Sequence, residues 1–143
     1  GADCAFVISA EPAYATGIGD ILSPADSPKG NLNGYSLVVV KAPVAVPTKD
    51  AYAQTVPQKL QVCCRDIVRQ PIDTWREQLT NDFETPAFKA HPILADIKQQ
   101  LYDFGAAYAQ MSGSGSAMFG IFKEKPQIPT STFEGFKVYE MEL

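Results

Sequence analysis

Between two β-prone runs of this 143-residue chain lies Ser112-Gly113-Ser114-Gly115-Ser116, hydroxyls alternating with glycines. Glycine reaches positive φ without a Cβ penalty and lets a ligand come close to the backbone. Successive N–H groups in such a loop can form a nest that holds an anion, although the same residues could serve as a plain hairpin connection. At the other end, Asp3 stands before an apolar run, where a carboxylate can be a general base, a metal ligand or a turn cap. Other reactive chemistry has little to build on. His91 is the only histidine, so a His-based zinc site or a Ser-His-Asp triad has almost nothing to build on, and Ser112 and Ser114 are poor candidate nucleophiles. Cys4, Cys63 and Cys64 lack C-x-x-C spacing and are expected to be buried or inert.

Charge and length narrow the class. Twelve Lys plus Arg against sixteen Asp plus Glu give a net charge of −4, and no basic cluster exceeds Lys123-Glu124-Lys125. A nucleic-acid partner, which needs a concentrated positive face, is not expected. The longest apolar run, Leu37 to Val40, is far too short to span a bilayer, and no charged-then-apolar signal opens the chain. The expectation is a cytoplasmic globular protein of one domain with no membrane partner. The start at Gly1-Ala2-Asp3, without an initiator Met, reads as a piece of something longer.

The elements that must position these residues follow from periodicity and punctuation. Ala5 to Ser9 is a strand candidate, Ala13 to Leu22 reads as strand, glycine turn and strand, and Ser23 to Gly34 is loop. A buried strand in Tyr35-Ser36-Leu37-Val38-Val39-Val40-Lys41 is ended by Pro43. A short helix follows, with Thr48 as N-cap, Asp50 in its first turn and an end near Gln54. Ile72, Trp75 and Leu79 predict a second helix after Pro71, and Ile93, Ile97, Leu101 and Phe104 predict a third between Pro92 and Gly105. Strands Ala107 to Met111, Ala117 to Phe122 and a last one in Phe136 to Glu142 complete an α+β fold. That fold is an antiparallel sheet with helices packed on one face, in a split β-α-β layout.

Four segments, in order, resemble one family. The run Gly1 to Pro24, then Leu37 to Tyr52 with its Val-Pro-Thr helix start, then Asn81-Asp82-Phe83-Glu84, then Met111 to Phe122 are similar to segments of the 4-diphosphocytidyl-2-C-methyl-D-erythritol kinases. These are members of the galactokinase, homoserine, mevalonate and phosphomevalonate kinase superfamily. Cys4-Ala5 departs from the family's usual Val-Pro, and the aromatic position of Tyr52 varies. The resemblance implies that residues 1–143 are the C-terminal, substrate-binding domain, with the ATP-loop half absent, so that the isolated chain is inactive. It implies ATP with Mg2+ as cofactors and phosphorylation of the substrate's 2-hydroxyl in the non-mevalonate isoprenoid pathway, with Asp3 as the catalytic carboxylate. Ser112, Gly113, Ser114 and Gly115 would face the substrate's diphosphate, and Thr48 would start the helix that presents Tyr52 to the cytosine ring. Another small-molecule kinase of the superfamily, or a non-catalytic ligand-binding or dimerisation module, are the competing readings. No metal ligand and no oligomeric state are assigned.

Overall fold

The computed structural model describes residues 4–9, 12–25, 32–56 and 62–143. The chain runs α1 (Cys4–Ser9), β1 (Ala13–Thr16), β2 (Ile21–Pro24), β3 (Ser36–Lys41), α2 (Thr48–Gln54), α3 (Cys64–Ile67), a 3-10 turn (Ile72–Thr74), α4 (Trp75–Gln78), α5 (Glu84–Ala90), α6 (Pro92–Asp103), β4 (Tyr108–Met111), β5 (Ala117–Phe122) and β6 (Lys137–Glu142). β-Branched Val38, Val39 and Val40 suit a pleated, buried surface, and β3 lies inside a four-stranded antiparallel sheet of order β4-β5-β3-β6. Its register sets Val38 opposite Gly120 and Val40 opposite Met118. β1 and β2 form a separate hairpin, pairing Ala13 with Pro24 and Thr16 with Ile21.

One face of the large sheet carries Val38, Val40, Ala109, Met111, Met118 and Phe122, buried against Leu94, Ile97 and Leu101 of α6. Burying side chains of this size contributes about 1.5–3 kcal/mol each, which makes this layer the main source of stability. The expected helix-covered antiparallel sheet is therefore present. A second, smaller cluster lies on the opposite face, where Tyr108 and Ile121 meet Ile67, Ile72 and Trp75. The Trp75 and Tyr108 rings sit edge to face with centroids 5.5 Å apart.

Four local expectations are corrected. Residues 5–9 belong to helix α1, not to a strand; a run of four apolar residues ending in Ser9 carries too little periodicity to separate the two. The helix predicted after Pro71 is a 3-10 turn followed by a single α turn that stops at Leu79, so Ile72 and Trp75 are buried while Leu79 only flanks their cluster. On α6 the buried stripe is Leu94, Ile97 and Leu101, and Ile93, one position off it, is exposed. Finally, Thr48 is the first helical residue of α2 and the cap position belongs to Pro47, whose carbonyl accepts from the Asp50 and Ala51 N–H groups at 3.0 Å each. Proline's fixed φ already suits that start, which leaves the Thr48 hydroxyl free for another use.

Candidate functional site

The small-residue loop is held by groups on three sides. Gly113 and Gly115 have φ of 54° and 91°, in the region that favours glycine. Within the loop, Ser112 donates its N–H to Ala117 O at 2.8 Å and Gly115 donates to Ser112 O at 3.0 Å. Among the described residues, the N–H groups of Gly113 and Ser114 have no partner in the chain. They are the donors an anion could take. A side chain at Gly113 would enter open space, whereas a Cβ at Gly115 would lie 2.7 Å from Met111 Sδ. The two glycines therefore serve different ends: one keeps the approach clear and the other lets the loop pack.

The loop's first brace comes from a motif that spacing alone did not single out. Asn81 lies in the non-helical link after α4, and its amide donates to Met111 O and to Gly113 O, both at 2.8 Å. Its oxygen accepts the Phe83 N–H at 2.9 Å. Glu84 accepts the Met111 N–H at 2.9 Å with one carboxylate oxygen and meets Lys98 at 2.6 Å with the other. Just upstream, Leu79 O receives the Tyr108 hydroxyl at 2.9 Å and the Gln110 amide at 3.0 Å. Burial pushes the Tyr108 hydroxyl pKa far up, so it stays a donor. A signal for this brace was present in the sequence as Asn-Asp-Phe-Glu. Nothing in its local pattern indicated a partner some thirty residues away, as the separations of 30 and 32 show.

The second brace is α2. Thr48 Oγ1 lies 3.3 Å from Ser114 Oγ, joining the start of the helix to the tip of the loop. One turn further along α2, the Tyr52 ring is 67% exposed yet held edge-on to Phe83, with centroids 4.9 Å apart and planes at 69°. A cleft of about 370 Å³ opens between the end of α2 and the segment from Thr80 to Pro86. The third brace is at the far side of the loop. Ser116 is fully buried, receives the Lys41 ammonium at 2.6 Å and donates its own hydroxyl to Val44 O at 2.5 Å. That hydroxyl has both roles filled inside the protein and is not a ligand donor.

The structure thus brings Thr48, Tyr52, Ser112, Gly113, Ser114 and Gly115 to one place. Asp3 lies outside the described residues. Among the described residues, no group of three His, Cys, Asp or Glu side chains could hold a metal ion, and no helix is long and apolar enough to cross a membrane.

Elsewhere, Cys63 is not buried: it is exposed and 3.2 Å from the Tyr14 hydroxyl. That hydrogen bond, with help from the Arg65 N–H, lowers the Cys63 pKa, and in turn Tyr14 is pushed up to about 12. Burial raises the neighbouring Cys64. Thiolate is the reactive form, so iodoacetamide at neutral pH is expected to label Cys63 before Cys64, and Tyr14→Phe should slow the first reaction. Peptide mass mapping of the labelled chain checks this; equal rates at both cysteines would show that the bond has no chemical effect.

Comparison with known proteins gives these features a context. Residues 65–129 match the family GHMP kinases C terminal. All of the chain is 43% identical to 51% of a 4-diphosphocytidyl-2-C-methyl-D-erythritol kinase from Bacteroides fragilis. A protein of the same name from Parabacteroides distasonis is 45% identical over 126 residues, 88% of this chain and 45% of that one. A crystal structure of 4-(cytidine 5'-diphospho)-2C-methyl-D-erythritol kinase superposes with a TM-score of 0.68 at 29% identity, covering 87% of this chain and 45% of that one. The chain spans about half the length of the curated relatives it matches. In sequence and in fold the chain is therefore similar to the 4-diphosphocytidyl-2-C-methyl-D-erythritol kinases over about half of their length, with the GHMP kinases C terminal family matched within it.

Proposed function

We propose that the chain is the substrate-binding part of a kinase that phosphorylates the 2-hydroxyl of 4-diphosphocytidyl-2-C-methyl-D-erythritol. The observation that carries this is the pairing of an exposed aromatic platform with an anion-ready loop. Tyr52 stands on the helix whose first residue touches Ser114, and its ring rests on Phe83, two residues from the Asn81 that grips the loop. A flat base joined to a diphosphate is a ligand with that pair of features. The unpartnered N–H groups of Gly113 and Ser114 suit the phosphates, with the Ser112 hydroxyl beside them.

ATP with Mg2+ is the phosphoryl donor implied by kinase relatives. Mg2+ is usually held by one or two carboxylates together with the nucleotide's phosphates, and among the described residues no group of three His, Cys, Asp or Glu side chains could hold a metal ion by itself. What this chain contributes is positioning, and phosphoryl transfer asks for little else from a protein besides charge stabilisation. Without the half of the enzyme that binds ATP, the isolated chain should have no turnover.

Tyr52 tests the reading. Base stacking on an aromatic contributes about 1–3 kcal/mol, so Tyr52→Ala in the whole enzyme should raise the apparent substrate constant roughly ten- to a hundred-fold. Tyr52→Phe should behave nearly as wild type, because stacking tolerates any flat ring. The measurement compares Ala, Leu and Phe variants at matched thermal stability. If leucine serves as well as phenylalanine, Tyr52 is apolar packing and the cytosine contact lies elsewhere.

A further inference from the structure

The β3–β6 register sets Lys41 directly opposite Lys137. Residues so paired in an antiparallel sheet point to the same face with Cβ atoms about 4.5–5.5 Å apart, and like charges there are destabilising. Among the described residues, the ion pairs are Arg69 with Asp66, Lys98 with Glu84 and Lys123 with Asp73, and no carboxylate is within ion-pair distance of Lys41 or Lys137. The pair stands out in a chain whose net charge is −4. An unfavourable pairing with no counter-charge calls for an anion from outside.

Lys41 is also aimed. It is half-buried, and its ammonium donates to Ser116 Oγ at 2.6 Å, while the Ser116 proton is committed to Val44 O. The fully buried hydroxyl can therefore only accept from Lys41, and it anchors the ammonium at the end of the glycine loop. An ammonium has three donors. Among the described residues Ser116 engages one of them, and the others remain for a ligand.

We propose that Lys41 and Lys137 form a dicationic site for a phosphate or diphosphate group, continuous with the loop through Ser116. The proposal rests on the reading of that loop as a phosphate seat only for the identity of the natural ligand. Free pyrophosphate and the diphosphate of a nucleotide share the recognised chemistry, so both are used as probes.

The test is an amide chemical-shift titration of the isotope-labelled 143-residue chain with inorganic pyrophosphate and, separately, with cytidine diphosphate. Saturable shifts are expected at residues 41 and 137 and at residues 113–116. Lys41→Met and Lys137→Met should each weaken pyrophosphate binding about tenfold, the effect of removing one charge a few ångströms away. Because Lys41 also ties Ser116, the decisive variant is Lys137→Met. Lys137 is exposed, and its loss should leave the unliganded fold as stable as before or slightly more so, since a repulsion disappears. Affinity within twofold of wild type in Lys137→Met, or no saturable shift at residues 41 and 137, overturns the dication. Loop shifts that persist unchanged in that variant would leave the phosphate-loop reading standing alone. Lysine-dependent binding with residues 113–116 unmoved would support the dication and overturn the loop reading instead. Lysine-dependent binding of cytidine diphosphate as well as pyrophosphate assigns the site to a nucleotide's diphosphate; dependence with pyrophosphate alone assigns it to a free anion.

Discussion

With Asp3 as the catalytic carboxylate that the family resemblance implies, Asp3→Asn in the whole enzyme is expected to lower kcat by roughly a hundred- to ten-thousand-fold, the range of a lost general base. The substrate constant should stay within a few-fold. An amide keeps the shape of the carboxylate but cannot take the proton of the acceptor hydroxyl or balance the charge that develops on it. An interaction made only in the transition state is lost from kcat and kcat/KM alike. Asp3 immediately precedes α1 in sequence, so a merely structural role would act through that helix and lower thermal stability as well. Steady-state kinetics with a melting curve on the same sample separate the cases. An unchanged kcat, or a fall in kcat that tracks a fall in Tm, would leave Asp3 as a turn residue.

The sheet was legible because its strands are marked twice, by β-branched or apolar runs and by the turn formers around them. Leu37 to Val40 and Ala117 to Phe122 carry both marks, and both strands occur where expected. Short helices were the weak point. Ala5 to Ser9 has no polar residue before Ser9 to set a period of two apart from one of 3.6, and Ile72, Trp75 and Leu79 imply a longer helix than the one that stops at Leu79. What ended that helix is a tertiary competition invisible to periodicity. The Leu79 carbonyl accepts from Tyr108 and Gln110 on β4 in place of extending the helical ladder. The glycine loop and Tyr52 were legible as residue types, and only the fold shows that one turn, Asn81 to Glu84, supports both.

That turn carries the other large expectation. Asn81→Asp keeps the oxygen that accepts the Phe83 N–H but loses the two N–H donors to Met111 O and Gly113 O, and it aims a carboxylate at two carbonyls. A buried polar group left without a partner is worth about 1–3 kcal/mol of lost stability. Asn81 is half-buried and Gly113 is exposed, so water can replace the second bond more readily than the first. A loss of about 2–3 kcal/mol follows, or a fall in Tm of roughly 10 °C for a domain of this size. Glu84→Gln should be milder, because Gln retains an oxygen for the Met111 N–H and forfeits the Lys98 ion pair, whose partners are 25% and 12% exposed. The predicted order is thus Asn81→Asp well below Glu84→Gln, with Glu84→Gln near wild type. Substrate binding in the whole enzyme should follow the same order when measured far below each variant's Tm, since the loop that would hold the diphosphate and the ring that would hold the base hang from this turn. Equal melting of Asn81→Asp and wild type would mean that the loop keeps its form without the amide. Tyr52 and the glycines would then be held together by the contacts that remain, Glu84 with the Met111 N–H and Thr48 with Ser114.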